Sequence, residues 1–433
     1  PQYDNQGLWH GLDLVNAVRQ GTWVDFLLTV RKYPIFYILP HAVVLNMMSE
    51  IRPIEFFFIG RFLNLLYALG ILALLYNLSK KMGFGAVAVV LLMTDLVFFM
   101  FMGAIRPHIP VAFWTLASYF FALRMQSKGR ISDTFFSFGA ATLAFCSLQS
   151  GLLAFVFPLW GILGTQPKLK QLPIAAAWLL GSLAACVLLG YPFLLGRFFG
   201  RTSEVGVDLG HEVGLHYSLW KGIEVPAQLL GSGPFLFFFA MWGIIRLIQR
   251  KDSVRNEMVP VLTYVALFTA VFLFHDFTTS RFFLPVMPFL AFLGAPAFLS
   301  SNLWMRMSTL AIASVVLLHM GWLSLVPNTY QKALAFILTR PGLATSVVQP
   351  PYFFGIPENK LPVSDKDESL IQTIIVPTYE KKVSPPFGWK ECSRFTASRN
   401  DNEIILLWND THLAYYRALE AKAFGPNLIA YCR

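Results

Sequence analysis

Long apolar runs separated by short polar clusters dominate residues 34–326. Runs near the ~20 residues that a helix needs to cross a bilayer fall at 55–78, 84–102, 109–123, 172–196, 227–248, 258–275, 281–300 and 307–326. The run 134–164 is longer, and Gln149-Ser150-Gly151 interrupts it, so it reads as two short helices joined at a membrane surface. The segment 34–48 is short and carries Pro34 and Pro40, which disfavour a helix interior; it reads as a half-span or a surface helix. Ahead of it, Leu8, Leu12, Val15 and Val18 recur at helical spacing and predict an amphipathic helix along the membrane surface. Beyond residue 327 the apolar stretches shrink to strand length, at 372–376 and 403–408. Leu413, Tyr416, Leu419 and Ala423 then predict an amphipathic helix stopped by Gly425-Pro426.

The pattern therefore predicts a mainly α chain, a polytopic transmembrane helical bundle with a small extracytoplasmic α/β domain at its C-terminal end. Its parts are a first extracytoplasmic loop with surface helices (1–33), the transmembrane helical domain (34–326) and the C-terminal domain (327–433). Composition agrees. Only 13% of the 433 residues are charged and 56% are hydrophobic, against about 25% charged in soluble domains. The net charge of +10 is not spread as a nucleic-acid binder's would be, because Lys and Arg gather in short clusters between the apolar runs. Lys80-Lys81, Arg124/Lys128/Arg130, Lys168/Lys170, Arg246/Arg250/Lys251/Arg255 and Arg306 mark one face as cytoplasmic. The opposite face receives residues 1–33, the turn Arg106-Pro107-His108, the Gln149 turn, the loop 197–226, the turn 275–281 and everything past 327. A full span at 34–48 would put Asp4 and Arg106 on opposite faces. The chain opens on Pro1 inside a polar stretch, from which a preceding segment with a first spanning helix is expected.

Candidate chemistry lies on the outer face. Asp4 stands just ahead of the surface helix, as a base held at the membrane surface or as an N-cap. Arg106, His108 and Arg281 come from two separate turns; guanidiniums pair bidentately with phosphate oxygens, although charges at a membrane boundary also serve as anchors. Tyr3, Asn5 and His10 around Asp4, with Arg201, His211, Glu212 and His216 in the loop 197–226, are substrate-loop candidates. His211 and His216 lack an evident third ligand, and no spacing resembles a metal site. Asp95 falls in the middle of an apolar run, where it reads as a hydrogen-bonding group between helices. Cys146 and Cys186 lie in apolar runs and read as small buried hydrophobes. Cys392 and Cys432, in the polar C-terminal region, are a disulfide candidate in an oxidising compartment.

Four blocks in order carry a family resemblance: Tyr3-Asp4-Asn5-Gln6 running on to Lys32-Tyr33-Pro34-Ile35-Phe36-Tyr37; Gly60-Arg61-Phe62-Leu63-Asn64; Ala104-Ile105-Arg106-Pro107-His108; and Ser280-Arg281-Phe282-Phe283-Leu284-Pro285. Together they resemble the GT-C superfamily of integral-membrane glycosyltransferases, in its protein-mannosyltransferase and aminoarabinose-transferase branch. The resemblance implies a polyprenyl-phosphate sugar donor and an acceptor hydroxyl on protein, lipid or glycan. It also implies Asp4 as general base, with inversion at the sugar. Arg106, His108 and Arg281 would then bind the donor phosphate, and membrane lipid and a membrane-protein complex are the other partners to expect. No cofactor is expected, and a divalent metal stays open. Two positions depart from the family: Asn5 follows Asp4 where a second acid is common, and His108 stands where an Asp is usual. Those departures favour the alternative, a non-catalytic membrane subunit or scaffold that binds lipid or partner proteins. A secondary transporter ranks behind both, since the sequence shows neither inverted repeats nor broken helices.

Overall fold

The computed structural model describes residues 6–29, 34–47, 53–102, 106–164, 168–192, 219–249, 253–273, 280–325, 336, 345–347, 373–377, 388, 390–395 and 428–432. The chain divides into two compact units: Gln6–Ser49 with Ile59–Ala313, and Pro1–Asn5 with Glu50–Phe58 and Ser314–Arg433. In chain order the described helices are α1 (Gln6–Arg19), α2 (Trp23–Thr29), α3 (Ile35–Asn46), α4 (Pro53–Lys81), α5 (Val87–Met93), α6 (Leu96–Phe101), α7 (His108–Lys128) and α8 (Ile131–Ser147). They continue with α9 (Val156–Gly164), α10 (Lys168–Leu189), α11 (Leu219–Ser232), α12 (Pro234–Gln249), α13 (Ser253–Leu273), α14 (Met287–Ser300) and α15 (Leu303–Leu325). Gln149–Phe155 and Ser280–Phe283 are 3-10 turns.

The chain is mainly α, as its apolar runs require. Among the described residues, Gly60–Lys81 and Asn256–Leu273 are long and apolar enough to cross a membrane. A third span arises if the bent pair Gly222–Ser232 and Pro234–Gln249 is counted as one. Several predicted spans are broken. The run 84–102 is two short helices, because Asp95 leaves helical geometry (φ −81°, ψ 115°) and caps α6 by accepting a hydrogen bond from Phe98 N. The run 227–248 turns through 117° between α11 and α12 at Gly233. The run 281–300 opens in a 3-10 turn, and its helix begins only at Met287, after Pro285. Broken helices are thus present, contrary to the sequence reading. Residues 219–226, expected in a loop, form the start of α11.

The helix α3 keeps Pro40 inside it; at 12 residues it reaches about 18 Å, short of a bilayer core. Helix α1 packs on α3 in a phase different from the one expected. Leu14, Val15 and Ala17 are buried while Val18 is 54% exposed. The reason is Gly11, whose missing side chain lets α3 approach so closely that a Cβ would lie 3.0 Å from His41 Cβ and 3.1 Å from Ala42 N.

Lipid gives no hydrophobic drive for helices to associate, so small residues and interhelical hydrogen bonds carry more of the load. Ser118 and Ser137 exchange hydrogen bonds across α7 and α8, each hydroxyl donating at 2.9 Å to the other's carbonyl. Tyr119 Oη donates at 2.8 Å to Glu257 O, tying α7 to α13. Around Tyr119, the rings of Phe157, Phe289 and Phe292 pack edge-on or tilted at 5.1–6.1 Å. Cys146 and Cys186 are free and buried.

In the other unit, four strands, β1 (Thr345–Val347), β2 (Thr373–Pro377), β3 (Lys390–Phe395) and β4 (Leu428–Cys432), form a sheet of order β1-β2-β4-β3. β1 and β2 run parallel; β4 runs antiparallel to both of its neighbours. Cys392, at the β3 bulge between Glu391 and Ser393, is disulfide-bonded. The side chain of Cys432 lies outside the described residues, as do the strand expected at 403–408 and the helix expected at 411–424.

Candidate functional site

Three of the residues singled out in the sequence converge in the helical unit. Arg106 and Pro107 lead into α7; the helix starts when Val111 N bonds Pro107 O at 3.0 Å. His108 is therefore the first residue of a 21-residue helix, at the end whose backbone N–H groups have no intrahelical acceptors and favour an anion. Asn64, buried on α4, holds this entry in place by donating from Nδ2 to Arg106 O at 3.1 Å.

Arg281 arrives from the Ser280–Phe283 turn, fixed by Leu284 N bonding Arg281 O at 3.2 Å and Val286 N bonding Phe283 O at 2.8 Å. Aromatic packing seats the turn on α13. Phe282 stacks on Phe272 at 5.8 Å and 22°, and Phe283 lies 5.2 Å from Phe272. The other side of Phe282 meets the His108 ring at 5.5 Å, and the Arg281 guanidinium lies 5.4 Å from the Phe282 ring centre. Phe282 thus ties the Arg281 turn to the α7 entry.

Arg106 and His108 are 5% and 4% exposed. Among the described residues, neither ring nitrogen of His108 has a hydrogen-bond partner. Burial holds its pKa well below the ordinary imidazole value, and the positive charges of Arg106 and Arg281 push it the same way. The ring is neutral at pH 7, with one N–H to donate and one nitrogen to accept. Two guanidiniums, a neutral imidazole and a helix N-terminus are groups that can pair with an anion, and planar guanidinium matches phosphate oxygens.

The remaining sequence candidates are not joined to this cluster by anything described. Tyr3, Asp4, Asn5, Arg201, His211, Glu212 and His216 lie outside the described residues, as does the side chain of His10 on α1. Among the described residues there is no group of three or more His, Cys, Asp or Glu able to hold a metal ion. Sequence reading missed two contributors, Asn64 and Phe282. An amide inside an apolar run was a signal for the first; Phe282, one of 41 Phe in the chain, carried none.

No protein-family model matches the chain, and no curated protein matches it in sequence. Three solved structures are similar to it. ArnT from Cupriavidus metallidurans bound to undecaprenyl phosphate gives a TM-score of 0.49 at 14% identity, covering 78% of this chain and 64% of that one. The apo state of the same protein gives 0.48 at 13% identity, covering 75% and 61%. The oligosaccharyltransferase from Archaeoglobus fulgidus in its apo form gives 0.44 at 12% identity, covering 86% and 66%. The chain spans less than two thirds of the length of each. At these values the three stand as likenesses.

Proposed function

We propose that the protein is a membrane glycosyltransferase that moves a sugar from a polyprenyl-phosphate carrier to an acceptor hydroxyl, and that Arg106, His108 and Arg281 bind the carrier phosphate. The observation that carries this reading is His108: a buried imidazole without a partner, flanked by two guanidiniums, at the start of a long helix. A polar ring is costly to bury unpaired, and here the missing partner has the character of an anion.

Attack of the hydroxyl on the anomeric carbon breaks the bond from sugar to phosphate oxygen and inverts the sugar. Negative charge grows on the departing phosphate, where the two guanidiniums and the imidazole N–H act. Asp4 takes the acceptor's proton as general base, a role worth about 10²–10⁴-fold. The reaction belongs at the extracytoplasmic face, the side opposite the basic clusters. The carrier's isoprenoid tail lies among apolar helices, where burial gives about 0.8 kcal/mol per CH₂. Undecaprenyl phosphate, the lipid bound in one of the similar structures, is the natural probe.

The test is sugar transfer or release from a labelled polyprenyl-phosphate sugar by purified protein in lipid nanodiscs. Arg106→Gln and Arg281→Gln should each lower turnover about 10²-fold, the usual loss on removing one preorganised donor. Asp4→Asn should abolish transfer while leaving donor binding intact. Full turnover in either arginine variant refutes the phosphate site. The Asn5 and His108 departures favour a second reading, a subunit that binds the carrier without turnover; binding with no release by the wild type supports it.

A further inference from the structure

Asp95 takes no part in the phosphate site, yet it is fully buried where two broken helices meet. Its Oδ1 accepts a 2.7 Å hydrogen bond from Phe98 N, which starts α6 anew instead of letting α5 run on. The same carboxyl lies beside the Ser232 hydroxyl, at the end of α11. Gly233, the hinge of the 117° bend, comes closer still. A Cβ on it would lie 2.6 Å from Asp95 Oδ2 and 3.3 Å from both Cα and Cβ of Asp95. Either break alone would leave a short helix free to swing; in contact, each fixes the other. Both of the helices so fixed, α6 and α11, pack against the Ser280–Phe283 turn that carries Arg281.

A cap for α6 needs only one acceptor, Oδ1 on Phe98 N, and the rest of the Asp95 carboxyl faces Ser232 and Gly233 at the other break. We infer that Asp95 is a positioning residue for Arg281: by pinning the α5–α6 break to the α11–α12 hinge, it holds the two helices that seat the Arg281 turn against His108. The inference rests on the phosphate-binding reading of Arg281.

The experiment uses the full chain in nanodiscs, undecaprenyl phosphate as probe, and two readouts. Binding reports on function. Amide hydrogen exchange over residues 280–286 without ligand reports on position whether or not the lipid binds. Asp95→Leu and Gly233→Ala should weaken binding on the order of tenfold, the equivalent of one charge-assisted contact, and should speed exchange in the turn. Asp95→Asn keeps an acceptor for Phe98 N and should restore both. Arg281→Gln should weaken binding and leave exchange unchanged. Should Asp95→Leu fail to fold, Gly233→Ala carries the test, since it displaces the carboxylate without removing it. A folded Asp95→Leu or Gly233→Ala protein with wild-type exchange over 280–286 overturns the positioning role. If wild type binds no undecaprenyl phosphate, the phosphate reading fails, and the exchange data still decide whether Asp95 holds the turn.

Discussion

Replacing His108 by Phe separates a structural histidine from a functional one, because the two readouts move in opposite directions. The ring is buried, neither nitrogen is paired, and its nearest aromatic neighbour is Phe282 at 5.5 Å. A phenyl ring keeps that ring contact and removes two polar atoms that the ligand-free fold leaves unsatisfied. Each unsatisfied buried group costs about 1–3 kcal/mol. Crowding by the larger ring takes back about 1 kcal/mol at the low end of overpacking costs. The ligand-free variant should therefore be more stable than wild type, by about 1–5 kcal/mol on those two figures. Phosphate binding should suffer instead. One hydrogen bond to a charged group is worth about 1.5–3 kcal/mol, so affinity should fall about 10- to 100-fold. Thermal unfolding in detergent, with and without undecaprenyl phosphate, reads both quantities: the ligand-free midpoint should rise by a few degrees while the lipid-induced shift shrinks. A variant less stable than wild type that keeps the full lipid-induced shift would show that the ring belongs to the core and that the anion site is misread.

The same ring makes stability depend on pH. Its folded pKa lies well below the ordinary 6.5, so as the pH falls below that value the unfolded chain binds a proton that the folded chain refuses. The stabilisation is present above pH 6.5 and is lost progressively in acid; unfolding midpoints should fall between about pH 7 and pH 5 in wild type and fall less in His108→Phe. At the crossing of α12 and α14, a Cβ on Gly243 would overlap the Leu293 carbonyl oxygen. Gly243→Ala should thus destabilise the helical unit by about 1–3 kcal/mol or more, and an unchanged unfolding midpoint would count against the observed packing.

What the sequence made legible was local or compositional. Apolar runs announce helices because a backbone in lipid must satisfy itself, and three neighbouring residues, Gln149-Ser150-Gly151, were enough to announce the 3-10 break at Gln149–Phe155. The breaks at Asp95 and Gly233 were not legible. One Asp or one Gly inside an apolar run looks like a tolerated exception, and each becomes a break through its contact with the other, 138 positions away in the chain. The helix α1 and the burial of Val15 were visible from the spacing, but the exposure of Val18 was not, since the close approach of α3 at Gly11 sets the buried side of α1. Arg106, His108 and Arg281 were readable as chemistry, because they lie on the face opposite the basic clusters and guanidiniums match phosphate oxygens. Their convergence was expected through the resemblance, but the contacts that bring it about, Asn64 holding one turn and Phe272 and Phe282 holding the other, were not legible.

The charge of the converged cluster bears on which functional reading it fits. A polyprenyl-phosphate sugar is a phosphodiester with a single negative charge, whereas the released carrier is a monoester with about −1.5 to −2 at pH 7. In the proposed reaction the two guanidiniums therefore meet more negative charge as the sugar departs than they do in the bound donor. That is the difference a catalyst needs, stronger interaction with the transition state than with the bound donor, delivered by groups already in place before reaction. A scaffold that only held the carrier would gain nothing from such a bias. His108, neutral, can add an N–H to the oxygen on which charge appears. Burial, which keeps His108 unprotonated, is in this reading part of the catalytic design, and the aromatic seat around Phe282 is what supplies it.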